Sequence, residues 1–232
     1  MNRSEELQLN WESVQQQVGL ACAKANRSLD EVTIIAVTKT WPASDVDILA
    51  NLGVRDVGEN RDQEASEKKS QVNATDLTWH AIGQIQTNKV KSIVQWADVV
   101  HSIDRAELVT EFSKRLAQTG KTQNVFVQVN LDEQPSSGRG GAALTDALHL
   151  AELVLADSNF SLLGVMGVAP LGGDLERAFA TLQEVSVRVQ ELAPDATNIS
   201  AGMSDDYQIA LKYGATHLRL GSLILGHRTY SG

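Results

Sequence analysis

A lysine ends one of the most apolar runs in the sequence. The stretch "IIAVTK" spans residues 34–39, and its last residue is Lys39. A lysine shielded from water at a strand end, near another cation, is a candidate for Schiff-base formation, because those surroundings favour the neutral amine that attacks a carbonyl. The alternative is an ammonium group that extends from the strand end into solvent. The run alone leaves both interpretations open.

An arginine lies inside another apolar run. Arg219 stands between Leu218 and Leu220, where a guanidinium group needs a hydrogen-bond or charge partner. A ring nitrogen or an anion of a ligand would supply that partner, and so would a structural salt bridge. The sequence does not distinguish between these roles.

Glycine and serine end the last two apolar runs of the chain. One run ends in "SAGMS" at residues 200–204, and the other ends in "RLGS" at residues 219–222. Glycine lets backbone N–H groups approach an anion, and serine hydroxyl groups can donate as well. The candidate phosphate ligands are therefore Gly202, Ser204, Gly221 and Ser222.

Ser204 also fits the N-cap of the helix-like segment that follows it. Asp205 and Asp206 would then lie in the first turn, where the helix dipole favours negative charge. The two roles of Ser204 are compatible. Two aspartates would nevertheless repel a phosphate, so we expect their side chains to point away from it.

A reactive lysine and a phosphate site together indicate a ligand that has both a carbonyl and a phosphate. Pyridoxal 5′-phosphate (PLP) has both. The sequence lacks the G-x-G-x-x-G and Walker patterns, so neither a dinucleotide nor a P-loop is indicated. No grouping of His, Cys, Asp and Glu has the spacing of metal ligands, and we predict no metal.

The hydrophobic pattern predicts the elements that carry these residues. A stripe with spacings of three and four residues predicts an N-terminal helix: Leu7, Trp11, Val14, Val18 and Ala21. Strand-like segments follow at 32–39, 54–60, 77–83, 97–103, 124–131, 160–168, 197–203 and 216–222. Helix-like segments lie between them, at about 44–52, 61–70, 87–96, 105–119, 143–156, 174–192 and 205–213, with room for a short helix at the end.

The alternation of eight strand-like segments with helices predicts an α/β fold, a (β/α)8 TIM barrel with an extra N-terminal helix. Near-continuous apolar runs such as 34–37 are typical of strands covered on both faces. We expect a single domain over residues 1–232; the alternative is a doubly wound open sheet. In a barrel the functional site lies at the carboxyl ends of the strands.

Other polar residues near the strand ends have a less specific interpretation. His80, His101 and Asp104 could contact the site, but local hydrogen bonds within the fold are the favoured role. The predicted helix at 61–70, which contains "RDQEASEKK", is interpreted as a charged face in solvent.

The composition restricts the partners. The chain of 232 residues has 29 acidic and 20 basic residues and a formal net charge of −9, which argues against nucleic acid and anionic membranes as partners. The one cysteine, Cys22, cannot form an intramolecular disulfide; we interpret it as a small apolar residue on a helix face and expect a reducing compartment. Because there is no signal-like N-terminus and no apolar run of ~18 residues, we expect a cytoplasmic protein.

Six segments of the sequence, in order, resemble one known family. They are "AVTKTWP", "VGENRDQE", "WHAIGQIQTNKVK", "GVMGVAP", "ISAGMSDDYQIALKYGATHLRLGS" and "ILGHR". Together they resemble the pyridoxal phosphate homeostasis protein family, a relative of the N-terminal barrel of alanine racemase. The resemblance covers nearly the whole chain.

The resemblance implies a barrel of fold type III that holds PLP as a Schiff base on Lys39. It implies that Asn60 lies beside the pyridoxal ring and that Met203 lines the pocket. Arg219 would face the pyridine nitrogen, where an arginine disfavours protonation and weakens the ring as an electron sink. The implied phosphate ligands are Ser200, Gly202, Ser204, Gly221 and Ser222.

The function implied by the resemblance is PLP homeostasis: binding, storage and transfer of the cofactor, with effects on vitamin B6 balance and without robust catalysis. PLP-dependent apo-enzymes are the implied recipients.

The chain departs from the family pattern at Ala81, Ala201 and Ser222, which are small changes that affect the packing of the pocket. Arg139, in a variable loop at 132–142, could cover the site or lie in solvent.

Two other functions would also use Lys39. A racemase-like PLP enzyme needs a base on each face of the substrate, and in racemases a tyrosine from a second domain supplies one of them. The sequence ends at Gly232, soon after the last predicted strand, and Tyr207, Tyr213 and Tyr230 have no obvious route to the second face. We therefore expect no racemase activity, and a monomer. The third hypothesis is a cofactor-free aldolase that forms a Schiff base with a sugar phosphate.

Overall fold

In the computed structural model, which describes residues 2–132 and 140–226, eight parallel strands close into a barrel. Each strand pairs with the next in sequence, and the last pairs with the first. The strands are β1 (Thr33–Val37), β2 (Asp56–Glu59), β3 (Thr78–Ala81), β4 (Val99–Ile103), β5 (Gln123–Asn130), β6 (Phe160–Val168), β7 (Asn198–Ser200) and β8 (His217–Leu220). The closed barrel confirms the predicted (β/α)8 fold and excludes an open sheet.

Helices surround the barrel and connect its strands. They are α1 (Arg3–Lys24), α2 (Ala43–Asn51), α3 (Asp62–Gln71), α4 (Val90–Trp96), α5 (Ala106–Thr119), α6 (Leu144–Leu155), α7 (Leu175–Leu192), α8 (Tyr207–Lys212) and α9 (Ser222–Leu225). Short 3-10 turns precede β1 (Leu29–Glu31) and α4 (Thr87–Lys89). No helix among the described residues is both long and apolar enough to cross a membrane.

The predicted N-terminal helix is present and covers the barrel beside its first and last strands. Asn2 caps α1 by accepting a hydrogen bond from Glu5 N, and the Glu5 side chain bonds the Asn2 amide in return. The apolar stripe of α1 is buried and packs against α2, α8 and α9. Cys22 is buried with this stripe, as predicted.

The barrel has an apolar layer outside its strands and a more polar interior. The outer layer lies between strands and helices and includes Ala36, Val57 and Leu218. A small apolar cluster fills part of the interior, where Val99, Phe126 and Met166 pack together. Buried polar side chains share that interior, and they lie beneath the candidate functional site.

The first strand ends two residues earlier than the predicted segment 32–39. Its last residue is Val37, although Thr38 still donates its N–H to Gly58 O (3.0 Å). The chain then turns, and Thr40 adopts a φ of 67°. Lys39 therefore lies in the turn that follows β1, at the end of the barrel formed by the carboxyl ends of the strands. We call this end the mouth.

Candidate functional site

Lys39 and Asn60 occupy equivalent positions after neighbouring strands. Val37 of β1 pairs with Gly58 of β2, and Lys39 and Asn60 each lie two residues further along. A Cβ at Gly58 would lie 3.6 Å from Val37 Cγ2, so the two residues share the inner face of the barrel. Lys39 and Asn60 each follow this inward-facing pair by two residues, just beyond the ends of β1 and β2. Both are exposed at the mouth.

Helix α3 contacts the backbone on both sides of Lys39. Lys68 Nζ donates to Thr38 O (2.6 Å), and Thr40 N donates to Glu64 Oε1. Lys68 is only 5% exposed, so the interpretation of this helix as a charged face in solvent is wrong at that residue. Nothing in the sequence indicated that Lys68 is buried, because its partner Thr38 O is distant in sequence and is brought near only by the fold.

A tight turn follows β7 and carries several of the predicted phosphate ligands. Gly202 has a φ of 95°, and a Cβ at this position would lie 2.9 Å from Tyr207 Cα. Only glycine fits such a conformation and such a close approach. Gly202 O accepts the amide of Arg219 (2.9 Å), which joins this turn to β8. Ser204 is half-buried, and Met203 is 37% exposed.

The predicted N-cap role of Ser204 is wrong. Helix α8 begins at Tyr207, three residues later, with Asp206 as its N-cap residue. The Asp206 carboxylate accepts the amide of Met203 (2.6 Å) instead. Burial raises the pKa of Asp206, although the Met203 amide and the charge of Arg219 act in the opposite direction. The Asp206 side chain is thus turned back into the protein, as a phosphate site requires.

The turn after β8 lies against the end of β1. A Cβ at Gly221 would lie 3.5 Å from both the Cβ and the carbonyl oxygen of Val37. Ile224 N and Leu225 N donate to Gly221 O, which leaves the amides of Ser222 and Leu223 without an acceptor inside α9. The ends of β7, β8 and β1 therefore meet at one side of the mouth, beside the turn that carries Lys39.

Arg219 is buried beneath these turns and bonded to neutral groups. Its Nη1 donates to Ser200 Oγ (2.7 Å) and its Nη2 donates to Gly167 O (2.9 Å). Burial lowers the pKa of Arg219 to about 10, and the charge of Asp206 opposes that effect. The guanidinium is still protonated at neutral pH. Two of its five N–H donors are occupied by these bonds.

A chain of buried hydrogen bonds crosses the barrel interior from Ser200. Ser200 Oγ lies 2.8 Å from His101 Nδ1, and His101 Nε2 lies 2.8 Å from His80 Nδ1. His80 Nε2 lies 3.0 Å from Asp56 Oδ1. His80 and His101 thus bond within the fold, as favoured from the sequence. So does Asp104, which accepts from Arg105 Nη1 (2.6 Å).

The groups at the two ends of this chain, the Asp56 carboxylate and the Ser200 hydroxyl, determine which atom donates in each hydrogen bond. Burial lowers the pKa of His101 well below its usual range, and interactions with His80, Arg219 and His217 act in the same direction. If both rings are neutral, the Asp56 carboxylate accepts from His80 Nε2–H, and His80 Nδ1 accepts from His101 Nε2–H. Ser200 O–H must then donate to His101 Nδ1. Every bond in the chain has one donor and one acceptor.

Ser200 therefore lies in a more buried environment than Ser204 and Ser222, the other serines among the predicted phosphate ligands. Its side chain is fully buried, and its hydroxyl group bonds Arg219 and His101. This places Ser200 as a support for Arg219. A direct bond from Ser200 to a phosphate stays a prediction.

An open cleft of about 820 Å³ borders the Asn60 side of the mouth. Its lining includes Asn60, Arg61, Gln84, Trp96, Asp104 and Arg105. The cleft lies over the ends of β2 to β5, whereas the turns after β7 and β8 lie across the mouth from it. We place the candidate site at Lys39 and these turns, because the turn after β8 packs against the end of β1 and Arg219 lies buried in β8.

Two residues considered from the sequence fall outside the described part of the chain. They are Arg139, a possible cover for the site, and Tyr230. Within residues 2–132 and 140–226, no group of three or more His, Cys, Asp and Glu side chains is arranged to hold a metal ion.

Comparison with known proteins places this barrel in a class. The family model described as the alanine racemase N-terminal domain matches residues 9–229. An alanine racemase from Corynebacterium glutamicum has the same fold, with a TM-score of 0.70 at 10% identity over 97% of this chain and 62% of the racemase. The chain is therefore a member of the alanine racemase N-terminal domain class.

Relatives with higher identity define the family within that class. Pyridoxal phosphate homeostasis proteins are 36% identical in Mycobacterium leprae, over 97% of this chain and 94% of the relative, and 31% identical in Escherichia coli K12, over 96% and 97%. PipY of Synechococcus elongatus, solved with PLP bound, has a TM-score of 0.82 at 28% identity over 95% of this chain and all of PipY. The chain belongs to the pyridoxal phosphate homeostasis protein family.

Proposed function

We propose that this protein binds pyridoxal 5′-phosphate and takes part in PLP homeostasis, holding the cofactor as a Schiff base on Lys39 without robust catalysis of its own. One observation carries the proposal: Gly221 packs against Val37, so the phosphate-type turn after β8 lies beside the turn that presents Lys39. A ligand with both an aldehyde and a phosphate fits this pair of neighbours. The PLP bound to PipY supports the same choice.

Lys39 is the proposed covalent attachment point. PLP supplies an aldehyde carbon, with which the lysine amine condenses as water is released. The amine extends from a turn whose flanking residues, Thr38 and Thr40, are bonded to α3. The backbone on either side of Lys39 is thereby held at the mouth, where the side chain is exposed and open to an incoming aldehyde.

The turns after β7 and β8 are the proposed phosphate site. Gly202 and Gly221 let the backbone approach the anion, Ser204 and Ser222 supply hydroxyl groups, and the first amides of α9 have no acceptor in their own helix. The Asp206 carboxylate is buried and bonded to Met203 N. This donor set suits a phosphate dianion.

The other side chains would orient the ring. We propose that Arg219 presents a remaining N–H to the pyridine nitrogen, while Ser200 and Gly167 O hold its guanidinium. A permanent cation there would keep that nitrogen unprotonated and make the ring a weaker electron sink. Asn60 and Met203 would contact the ring from the mouth.

The positions of the two described tyrosines support the proposed lack of robust catalysis. Among the described residues, Tyr207 is buried in the layer outside the strands. Tyr213 ends α8 at the side of the barrel away from the mouth. Neither can act on a substrate beside Lys39. The curated relatives that span nearly the whole chain carry homeostasis names, which supports the same interpretation over a racemase-like enzyme.

We also propose that the protein is a single domain over residues 1–232 that acts as a cytoplasmic monomer and passes PLP to PLP-dependent apo-enzymes. The formal net charge of −9 disfavours nucleic acid and anionic membranes as partners.

The proposal is tested by titrating the protein with PLP and following visible absorbance. The wild-type protein should shift the cofactor spectrum to that of a Schiff base, and Lys39→Ala should not. Incubation with D- or L-alanine in deuterated water tests the racemase alternative. Cofactor-dependent exchange of the α-hydrogen with turnover would replace the carrier function by an enzymatic one.

A further inference from the structure

The turn that carries Lys39 is held from both sides by one helix. Lys68 Nζ of α3 donates to Thr38 O (2.6 Å), the residue before Lys39. Glu64 Oε1 of the same helix accepts from Thr40 N, the residue after it. Glu64 and Lys68 are one helical turn apart and bonded to each other (3.1 Å). The backbone on either side of Lys39 is thus tied to one rigid element.

The ammonium group of Lys68 is buried, and a neighbouring carboxylate compensates its charge. Lys68 is 5% exposed, and its Nζ lies 2.5 Å from Glu59 Oε1. The same Glu59 oxygen accepts from Thr38 Oγ1 (2.6 Å). A buried ammonium group is tolerated only with such partners. Glu59 immediately precedes Asn60, so the group also joins the two exposed residues of the mouth.

The held turn has a conformation that it would not keep by itself. Thr40 has a φ of 67°, in the left-handed region that β-branched residues rarely adopt. Such a residue persists where its surroundings fix it, and fixed strain of this kind is concentrated at functional sites. The bond from Thr40 N to Glu64 holds it here, together with the bond from Trp41 N to Thr38 O (3.1 Å) that closes the turn.

We propose that Lys68 and Glu64 are positioning residues for Lys39. They fix the backbone of residues 38 and 40, and thereby hold the Lys39 amine where it condenses with an aldehyde bound at the neighbouring phosphate turns. This inference rests on the proposed function. It adds that α3, which lies outside the proposed set of cofactor ligands, sets the Schiff-base equilibrium.

The test compares two ligands that differ only at the reacting carbon. PLP has an aldehyde, whereas pyridoxine 5′-phosphate has an alcohol and cannot form a Schiff base. A misplaced Lys39 should weaken PLP alone, because the contacts to ring and phosphate are shared by both ligands. Affinities for both are measured by titration for wild type, Glu64→Ala, Glu64→Gln and Lys68→Met.

We expect Glu64→Ala and Lys68→Met to weaken PLP binding by about tenfold or more and to change pyridoxine 5′-phosphate binding by less than about twofold. Glu64→Gln keeps an acceptor for Thr40 N and should restore most of the PLP affinity. Glu67→Ala, on the exposed side of α3, is the matched control and should behave as wild type. Lys68→Met leaves the buried Glu59 carboxylate without its ion-pair partner, which could destabilise the fold. The double variant Lys68→Met, Glu59→Gln removes that charge and tests the same loss of the bond to Thr38 O.

The outcomes separate this inference from the function on which it rests. If wild type prefers PLP over the alcohol and forms a reducible adduct at Lys39, but the α3 variants bind both ligands as wild type does, the positioning role is wrong and the function stands. Equal loss of both ligands in folded variants would assign α3 a structural role only. If wild type itself forms no adduct at Lys39, the proposed function fails, and the positioning role fails with it.

Discussion

The guanidinium of Arg219 and the hydroxyl of Ser200 form a buried bond of 2.7 Å between the last two strands of the barrel. Through Ser200 the arginine is connected to His101, His80 and Asp56. An arginine that would face the ring nitrogen of PLP is therefore held in place by a chain of buried side chains that extends to Asp56 on the far side of the barrel interior.

Removing the Ser200 hydroxyl should loosen this chain. Ser200→Ala deprives His101 Nδ1 of its donor and Arg219 of one acceptor, and a buried polar group that loses its partner costs about 1–3 kcal/mol. We expect the free energy of unfolding, measured by urea denaturation, to fall by that amount. Ser204→Ala, at a half-buried hydroxyl, is the control and should change it by less than about 0.5 kcal/mol. An unchanged unfolding midpoint for Ser200→Ala would contradict the assigned bonds.

The protein should lose stability in mild acid because of a buried histidine. Burial lowers the pKa of His217 to about 4, with His80 and Arg219 acting in the same direction and Asp56 against it; the His101 ring also faces it. The imidazole of the unfolded chain binds a proton at a higher pH than that of the folded chain. The free energy of unfolding is therefore at its full value above about pH 6.5 and decreases as the pH falls toward 4. The loss is on the order of 3 kcal/mol.

The measurement for His217 is the free energy of unfolding in urea at several pH values between 7 and 4.5. His217→Gln should reduce the slope of stability against pH, whereas His149→Gln, at an exposed histidine of α6, should leave it unchanged. Identical slopes for wild type and His217→Gln would show that this ring does not titrate as described.

The turn after β7 should be more sensitive to a methyl group than a turn with the same backbone conformation elsewhere. Gly202 has a φ of 95° and Gly53 a φ of 93°, but a Cβ at Gly202 would lie 2.9 Å from Tyr207 Cα, whereas nothing lies within 4 Å of one at Gly53. We expect Gly53→Ala to cost about 1 kcal/mol and Gly202→Ala roughly 2–4 kcal/mol. Thermal and urea unfolding measure the difference. Equal costs would mean that the close approach is relieved by small shifts.

The proposed phosphate site is tested by comparing PLP with pyridoxal, which lacks the phosphate. Ser204→Ala and Ser222→Ala should each weaken PLP binding by roughly ten- to a hundredfold, as expected for the loss of one hydrogen bond to a charged group. Pyridoxal binding should not change. Ser66→Ala, on the exposed face of α3, is the control. Equal weakening of both ligands would place the two hydroxyl groups away from the phosphate.

The barrel could be predicted from the sequence because local pattern determines its elements. Apolar runs of strand length alternate with amphipathic segments, and the stripe from Leu7 to Ala21 is the one that α1 buries. The end of β1 could not be placed to the residue, since the turn at Thr40 depends on Glu64 of a different element.

The contacts that support the site could not be predicted from the sequence. Lys68 looked like one charge among many on α3, yet its partners are Thr38 O and Glu59. The expected N-cap at Ser204 failed because the Asp206 carboxylate bonds Met203 N and the helix starts at Tyr207. The contact between His101 of β4 and Ser200 of β7 exists only because the closed barrel brings distant strands together across its interior.

The most direct test of the central claim is borohydride reduction of the PLP-loaded protein followed by peptide mapping. A Schiff base on Lys39 predicts that reduction bleaches the visible absorbance and leaves the pyridoxyl group on the peptide that contains Lys39. In Lys39→Ala both the absorbance and the adduct should be lost. A reduced adduct on another lysine, or an unchanged spectrum in Lys39→Ala, would contradict the account.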